Sequence, residues 1–158
     1  MITPEVRLGA ESDIKSWMGL VRGMRDNFPG LETEEGLDEY RSTALEFMRE
    51  KRALCVKEGA EVVGVLLFSR THNMICCLAV SAEHRRKGIA SALITKALGE
   101  LDRSRDITVT TFRKDDPRGG APRALYKKFG FAEGELVVEF GCPSQVFVLA
   151  GKPPRNAV

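Results

Sequence analysis

A strand that runs into a basic turn and then a glycine-opened helix constrains this chain more than any other feature. Residues 74–101 read MICCLAVSAEHRRKGIASALITKALGEL. Met74 to Val80 is nearly all apolar, which places it centrally in a sheet. Ile89, Leu93, Ala97 and Leu101 fall on one side of a helix that opens on Gly88. Arg85, Arg86 and Lys87 stand just ahead of it. The first amides of a helix lack intrahelical partners, and the macrodipole is positive there. Fixed cations and a glycine, which lets backbone approach without a Cβ in the way, make such a start suited to a phosphate or pyrophosphate. A solvated basic surface or a nucleic-acid patch is the other reading of the run.

The rest of the chain builds a mixed sheet around that unit. Val6 to Leu8 reads as a short strand. Ser12 is placed to cap a helix carrying Ile14, Trp17, Met18, Val21 and Met24, which the Asn27-Phe28-Pro29-Gly30 stretch ends. A second helix shows Leu37, Tyr40, Ala44, Leu45 and Met48 on one face, behind an acidic segment with Glu32, Glu34, Glu35, Asp38 and Glu39. Strands over 53–58 and 61–69 flank a two-residue Gly59-Ala60 hairpin. Residues 107–112 form another strand, 113–120 a polar loop and 122–129 a short helix ended by Gly130, with Phe131 packing back. Strands at 136–140 and 146–149 close the domain, with 141–144 between them and a frayed tail over 151–158. The order predicts a single α/β (α+β) domain over residues 1–150, a mixed sheet with helices on both faces.

Bulk properties narrow the function. At 158 residues the chain is long enough to bury a core without staples. With 24 Lys and Arg against 22 Asp and Glu, the net charge of +2 argues against nucleic acid as the main partner. Cys55, Cys76, Cys77 and Cys142 form no C-x-x-C pair and only 2 His are present, so no metal site is expected. Cys76 and Cys77, adjacent on a strand, are expected on opposite faces, as buried thiols in a reducing compartment. No apolar run reaches membrane length and no signal-type segment is visible, so a cytoplasmic protein is expected.

Two motifs carry a family resemblance. Arg85-Arg86-Lys87-Gly88-Ile89-Ala90 fits R/Q-x-x-G-x-G/A, placed after an apolar strand ending LAVS and at the head of an apolar-faced helix. One strand later, Leu125-Tyr126-Lys127-Lys128-Phe129-Gly130-Phe131 fits L-Y-x-x-x-G-F. Over nearly its whole length the chain resembles the GNAT superfamily of N-acetyltransferases. The resemblance implies that fold, acetyl-CoA as donor and a primary amine, small molecule or peptide, as acceptor. It implies that the backbone of Leu78, Ala79 and Val80 pairs with the pantetheine arm. It also implies that Arg85, Arg86, Lys87, Gly88, Ile89, Ala90 and Ser91 hold the pyrophosphate. Tyr126 would then protonate the departing thiolate, chemistry open to a phenol; its other reading is a core aromatic beside Phe129.

The sequence departs from the family at two points. Some members carry a general-base carboxylate on the central strand, where this chain has Met74. His72, Glu135 and Glu139 are the substitutes considered. Many members place an Asn after the next strand, whereas the loop here reads RKDDPRGG. The acidic segment at 32–39 borders the acceptor side in the family and suggests cationic acceptors; a helix start stabilised by acidic residues is the plain alternative. Beside the transferase stands a catalytically silent acyl-CoA-binding module, against which an intact Tyr126 weighs. Self-association as a homodimer is compatible with the sequence.

Overall fold

The computed structural model describes residues 4–152. Its elements, in chain order, are β1 (Arg7–Leu8), α1 (Ile14–Gly23), α2 (Glu34–Arg49), β2 (Ala53–Glu58), β3 (Glu61–Ser69), β4 (Met74–Val80), α3 (Ile89–Glu100), β5 (Ile107–Phe112), α4 (Gly120–Lys128), β6 (Ala132–Glu139) and β7 (Cys142–Leu149). The strands form one seven-stranded sheet in the order β1-β2-β3-β4-β5-β7-β6, with β4 in the middle as its apolar run predicts. Only β4 and β5 pair in parallel, across α3. Every other neighbouring pair is antiparallel.

Two cores lie on opposite faces of the sheet. On one, Leu93, Ile94 and Ala97 of α3 and Tyr126 of α4 pack with Leu66, Phe68, Ile75, Ile107 and Phe147. On the other, Trp17 and Val21 of α1 and Leu37 and Met48 of α2 pack with Val65, Leu67 and Ala79. Fully buried side chains of this size each cost about 2–5 kcal/mol to truncate to alanine. The helices therefore stay docked while the sheet between them opens locally.

The ends of several elements differ from the sequence reading. A 3₁₀ turn over Glu11–Asp13 precedes α1, and Ser12 does not cap it. Asp13 holds this corner instead: its carboxylate accepts from the Ala10 amide at 2.9 Å and from Lys57 Nζ at 2.8 Å. An ionised oxygen that meets a backbone donor and a cation outcompetes a hydroxyl. The final strands are also longer than their apolar cores suggest. Their hairpin turns on Phe140 and Gly141, both at positive φ (50° and 75°), so residues 142–144 belong to β7. Pro143 is tolerated there because β5 pairs with β7 only as far as Ser144, so no ladder bond to β5 is lost at Pro143. Gly151 and Lys152, assigned to the tail, donate to Asp106 Oδ1 and to the Arg103 carbonyl. The rest of the expected tail, 153–158, lies outside the described residues. No helix among the described residues is long and apolar enough to cross a membrane.

Candidate active site

The central sheet opens in its middle. β4 pairs with β5 only at Met74↔Thr108 and Ile75↔Val109. Beyond that point β5 stays with β7 as far as Phe112, and β4 stays with β3 as far as Val80. The cause lies at Cys76. Leu67 pairs with Cys77 and Phe68 with Ile75, so Cys76 is an extra residue, a bulge. Face alternation breaks there: Ile75, Leu78 and Val80 belong to the α3-side core, Cys77 and Ala79 to the α1–α2 side. A bulge bends its strand and ends regular pairing, and here it turns β4 away from β5. The edge of β4 beyond the bulge then has no strand partner in the gap. Ser81 donates to the Val63 carbonyl at 2.9 Å. Antiparallel alternation therefore points the N–H and C=O of Ala79 at β3, and those of Leu78 and Val80 into the gap.

β4 delivers the chain to the basic turn. After a 3₁₀ turn over Ala82–His84, Arg86 sits at φ 65° and Gly88 at φ 77° before α3 begins. A left-handed residue at the N-cap costs a side-chain-bearing residue about 1–2 kcal/mol, and glycine far less. The Gly88 carbonyl accepts the Ala92 amide, while the amides of Ile89, Ala90 and Ser91 meet no acceptor among the described residues. Arg85, Arg86 and Lys87 are exposed and make no ion pair among the described residues. A cleft of about 210 Å³ lies over this turn, lined by Val80, His84, Arg86, Gly88 and Ser91, with Leu125 of α4 as the far wall. Free amides, cations and an unpaired strand edge converge here, and together they fit an extended polyanionic ligand. The Ile89 side chain is buried in the core, so only its backbone can serve such a ligand. His84 Nε2 meets Glu58 Oε2 at 2.9 Å, and His84 Nδ1 is buried with no partner among the described residues.

Tyr126, on α4, packs into the core on the α3 side of the sheet. A Schellman cap ends α4: Gly130, at φ 96°, donates to the Lys127 carbonyl and Phe131 to the Tyr126 carbonyl. That cap seats Phe131 against the Tyr126 ring, 5.8 Å between centroids, with Phe147 at 6.2 Å. The ring is thus a core residue, 5% exposed, yet its hydroxyl has no hydrogen-bond partner among the described residues. Burial, with a smaller contribution from Cys77, raises its pKa well above the usual phenol range. Opposite, the Tyr40 hydroxyl accepts from Trp17 Nε1 at 3.0 Å and lies 3.5 Å from Cys77 Sγ. Burial pushes the Cys77 thiol up to about 11, against the opposing hydrogen bond from Tyr40.

Cys76 is exposed and Cys77 only half-buried, which corrects the expectation of two enclosed thiols on opposite faces. The bulge cancels the period-2 alternation on which that expectation rested. Sequence reasoning also missed what Trp17 and Tyr40 do. Both sit on apolar helix faces, and the signal was their polar tips, which need partners once buried. Arg123 was missed too. It lies one turn before Tyr126, 6% exposed, and donates to the Phe112 carbonyl (2.9 Å), Gln145 Oε1 (2.8 Å) and Glu133 Oε1 (2.8 Å). These bonds lock α4, and Tyr126 with it, onto β5, β6 and β7.

The far side of the gap is tied together by its own charges. In the 113–119 loop, Arg118 makes paired bonds to the Asp116 carboxylate, stacks 4.3 Å over Phe112 and reaches the Asp26 carbonyl at 3.1 Å. Arg113 spans the Ser144 and Val137 carbonyls. The loop is thus fastened to the segment after α1. In the acidic segment, Glu34 pairs with Arg22 (2.7 Å) and Arg25 (3.7 Å), and Glu32 accepts from the Gly30 amide. Of the general-base candidates, His72 lies in the β3–β4 turn at the paired end of β4, and Glu135 is exposed on β6. Glu139 alone comes near the bulge, close enough for its charge to act on the Cys76 thiol.

A sequence model of the Acetyltransferase (GNAT) family matches residues 17–131. No curated protein matches the sequence. Among solved structures, a GNAT-family acetyltransferase from Bacillus cereus superposes with a TM-score of 0.73 at 19% identity, over 96% of this chain and 99% of that one. PaiA N-acetyltransferase from Thermoplasma acidophilum, solved with coenzyme A, gives 0.67 at 14% identity, over 94% and 99%. The ribosomal-protein-S18-alanine N-acetyltransferase of Escherichia coli gives 0.71 at 14% identity, over 99% of each chain.

Proposed function

The chain belongs to the GNAT acetyltransferase family, and from that premise we propose that it moves an acetyl group from acetyl-CoA to a primary amine by direct attack in a ternary complex. The opening of β4 away from β5 beside the Arg85–Gly88 turn carries this reading. The turn supplies cations and the free amides of Ile89, Ala90 and Ser91 for the diphosphate. Leu78 and Val80 offer backbone donors and acceptors to the pantetheine amides, and Ala79 holds β4 against β3. When bound, the donor brings an activated thioester to the gap. Cys77 is a poor acyl carrier there, since a thiol pushed up to about 11 is almost wholly protonated near neutral pH. This favours direct transfer over an acyl-enzyme.

Tyr126 donates its proton to the departing sulfur. A phenol raised above its usual range is a weak acid against a thiolate in bulk water. The gap is not bulk water. The burial that pushes the Cys77 thiol up to about 11 makes a thiolate expelled beside it correspondingly more basic. The two groups are thereby brought back towards a match, the condition for effective general-acid help. For the acceptor, Glu139 is the carboxylate best placed to take up the ammonium proton, through water. Met74 at the usual base position favours one rival reading, a silent acyl-CoA-binding module. The parting of β4 and β5, a cytoplasmic setting and a homodimer formed on the exposed Leu136 and Val138 of the edge strand β6, with Phe140 in the turn after it, are mutually compatible.

The test is CoA release from acetyl-CoA with a panel of amines, including spermidine and a tetrapeptide with a free N-terminal alanine, with products identified by mass spectrometry. Amine-dependent release with a matching N-acetyl product is expected. Tight acetyl-CoA binding without turnover on any amine would favour the silent module.

A further inference from the structure

The proposed acetyl transfer leaves one nucleophilic group in the gap unused, the Cys77 thiol. Three observations fix its place. It follows the bulge at Cys76, where β4 parts from β5. Its sulfur lies 3.5 Å from the Tyr40 hydroxyl, on the α1–α2 side. The Tyr126 phenol, on the other face of the sheet, is near enough that a thiolate at Cys77 would raise its pKa. A pantetheine arm running from the Arg85–Gly88 turn along Val80 and Leu78 brings its sulfur to this end of the strand. The inference rests on that reading of the donor site.

We propose that Cys77 is an oxidative capture site for the product CoA, bonding its sulfur in a mixed disulfide that closes the gap. A peroxide supplies the oxidising equivalents. Hydrogen peroxide converts the CoA thiol to a sulfenic acid and releases one water. The Cys77 sulfur then attacks that sulfur; the S–S bond forms, the S–O bond breaks, and the Cys77 proton leaves with the hydroxyl as a second water. A thiol reductant reverses the capture.

Magnitudes make the capture selective for bound CoA. With its thiol pushed up to about 11, Cys77 holds on the order of 10⁻³ of its population as thiolate at pH 8. It therefore reacts slowly with disulfides and oxidants arriving from solution. A sulfur already bound beside it can present an effective concentration of about 10⁵ M or more when well oriented. That advantage exceeds millimolar external thiols by many orders of magnitude. Cys76, exposed and one residue away, lacks the Tyr40 contact and provides the internal comparison.

The experiment treats the full chain with hydrogen peroxide at pH 8, with CoA, with acetyl-CoA or alone, and reads intact mass. Peptide mapping of the wild type locates any adduct without reliance on a variant. One CoA on Cys77 is expected with CoA, and none with acetyl-CoA, whose sulfur is blocked. Cys76→Ser should keep the adduct, Cys77→Ser should lose it, and dithiothreitol should remove it. Calorimetry with CoA on the same samples separates the two levels of the argument. CoA that binds yet forms no adduct, or an adduct on Cys76, overturns the capture proposal and leaves the donor site standing. An absence of CoA binding overturns the donor site and the capture with it.

Discussion

On the side of the gap where α3 begins, polar groups are left open: the amides of Ile89, Ala90 and Ser91 find no acceptor among the described residues, and Arg85, Arg86 and Lys87 find no carboxylate. On the side bounded by the acidic segment and the 113–119 loop, several charges are met from within the chain. Arg118 is held by Asp116, Glu34 by Arg22 and Arg25, and Arg113 by two carbonyls. Unsatisfied donors must be met by water or a ligand, and in the proposed function the donor's diphosphate meets those of the first side. On the second side Glu34 is spent, while Glu35, Asp38 and Glu39 stay exposed and make no ion pair among the described residues.

The sharpest way to break this contrast is at Tyr126, the donor-side group argued to do chemistry. Tyr126→Phe keeps the ring against Phe131 and Phe147 and removes only a hydroxyl without a partner. Its kcat should fall about 10²–10⁴-fold, with acetyl-CoA affinity and thermal stability nearly unchanged. Turnover at the wild-type rate across the pH range would make Tyr126 a packing residue and nothing more.

Arg123 tests the support behind it. Removing its guanidinium strands the Gln145 oxygen and the Phe112 carbonyl and leaves Glu133 to Lys127 alone. Arg123→Met should cost about 3 kcal/mol in denaturant unfolding and loosen α4. A stable variant with unchanged kcat would mean that α4 needs no such lock.

The smallest effect is expected on the second side. Glu34→Gln breaks an exposed pair with Arg22, which solvent screening leaves with little effect on stability. Its kcat/KM for the best acceptor should stay within about twofold, since the charge it removes is already partnered. A tenfold loss confined to cationic acceptors would show that the acidic segment recognises substrate after all.

How much of this was legible in the sequence follows the same division. The strand, turn and helix from Met74 onwards, the order of the elements and the Gly130 cap were readable because local rules set them: apolar period, helix start, left-handed glycine. Elements held by distant partners were not. The bulge at Cys76 is invisible in MICCLAV because it exists only against the register of β3. Asp13 took the corner from Ser12 because Lys57, 44 residues away, reaches it. The 113–119 loop stood out only as lacking the family's Asn, and its contacts with Asp26 and Cys142, brought near by folding, show which way it faces.

The central claim is that the turn at Arg85–Gly88 receives the diphosphate of the donor, and calorimetry with acetyl-CoA on a glycine pair tests it directly. A Cβ at Gly88 meets nothing within 4 Å, so only the strain of φ 77° accompanies substitution. Gly88→Ala carries that strain alone, about 1–2 kcal/mol, and Gly88→Glu adds a negative charge at the mouth of the turn. Affinity should be at least about a hundredfold weaker in Gly88→Glu, roughly 3 kcal/mol, with a clearly smaller loss in Gly88→Ala and both variants folded. Equal acetyl-CoA affinity in the wild type and Gly88→Glu would contradict the claim.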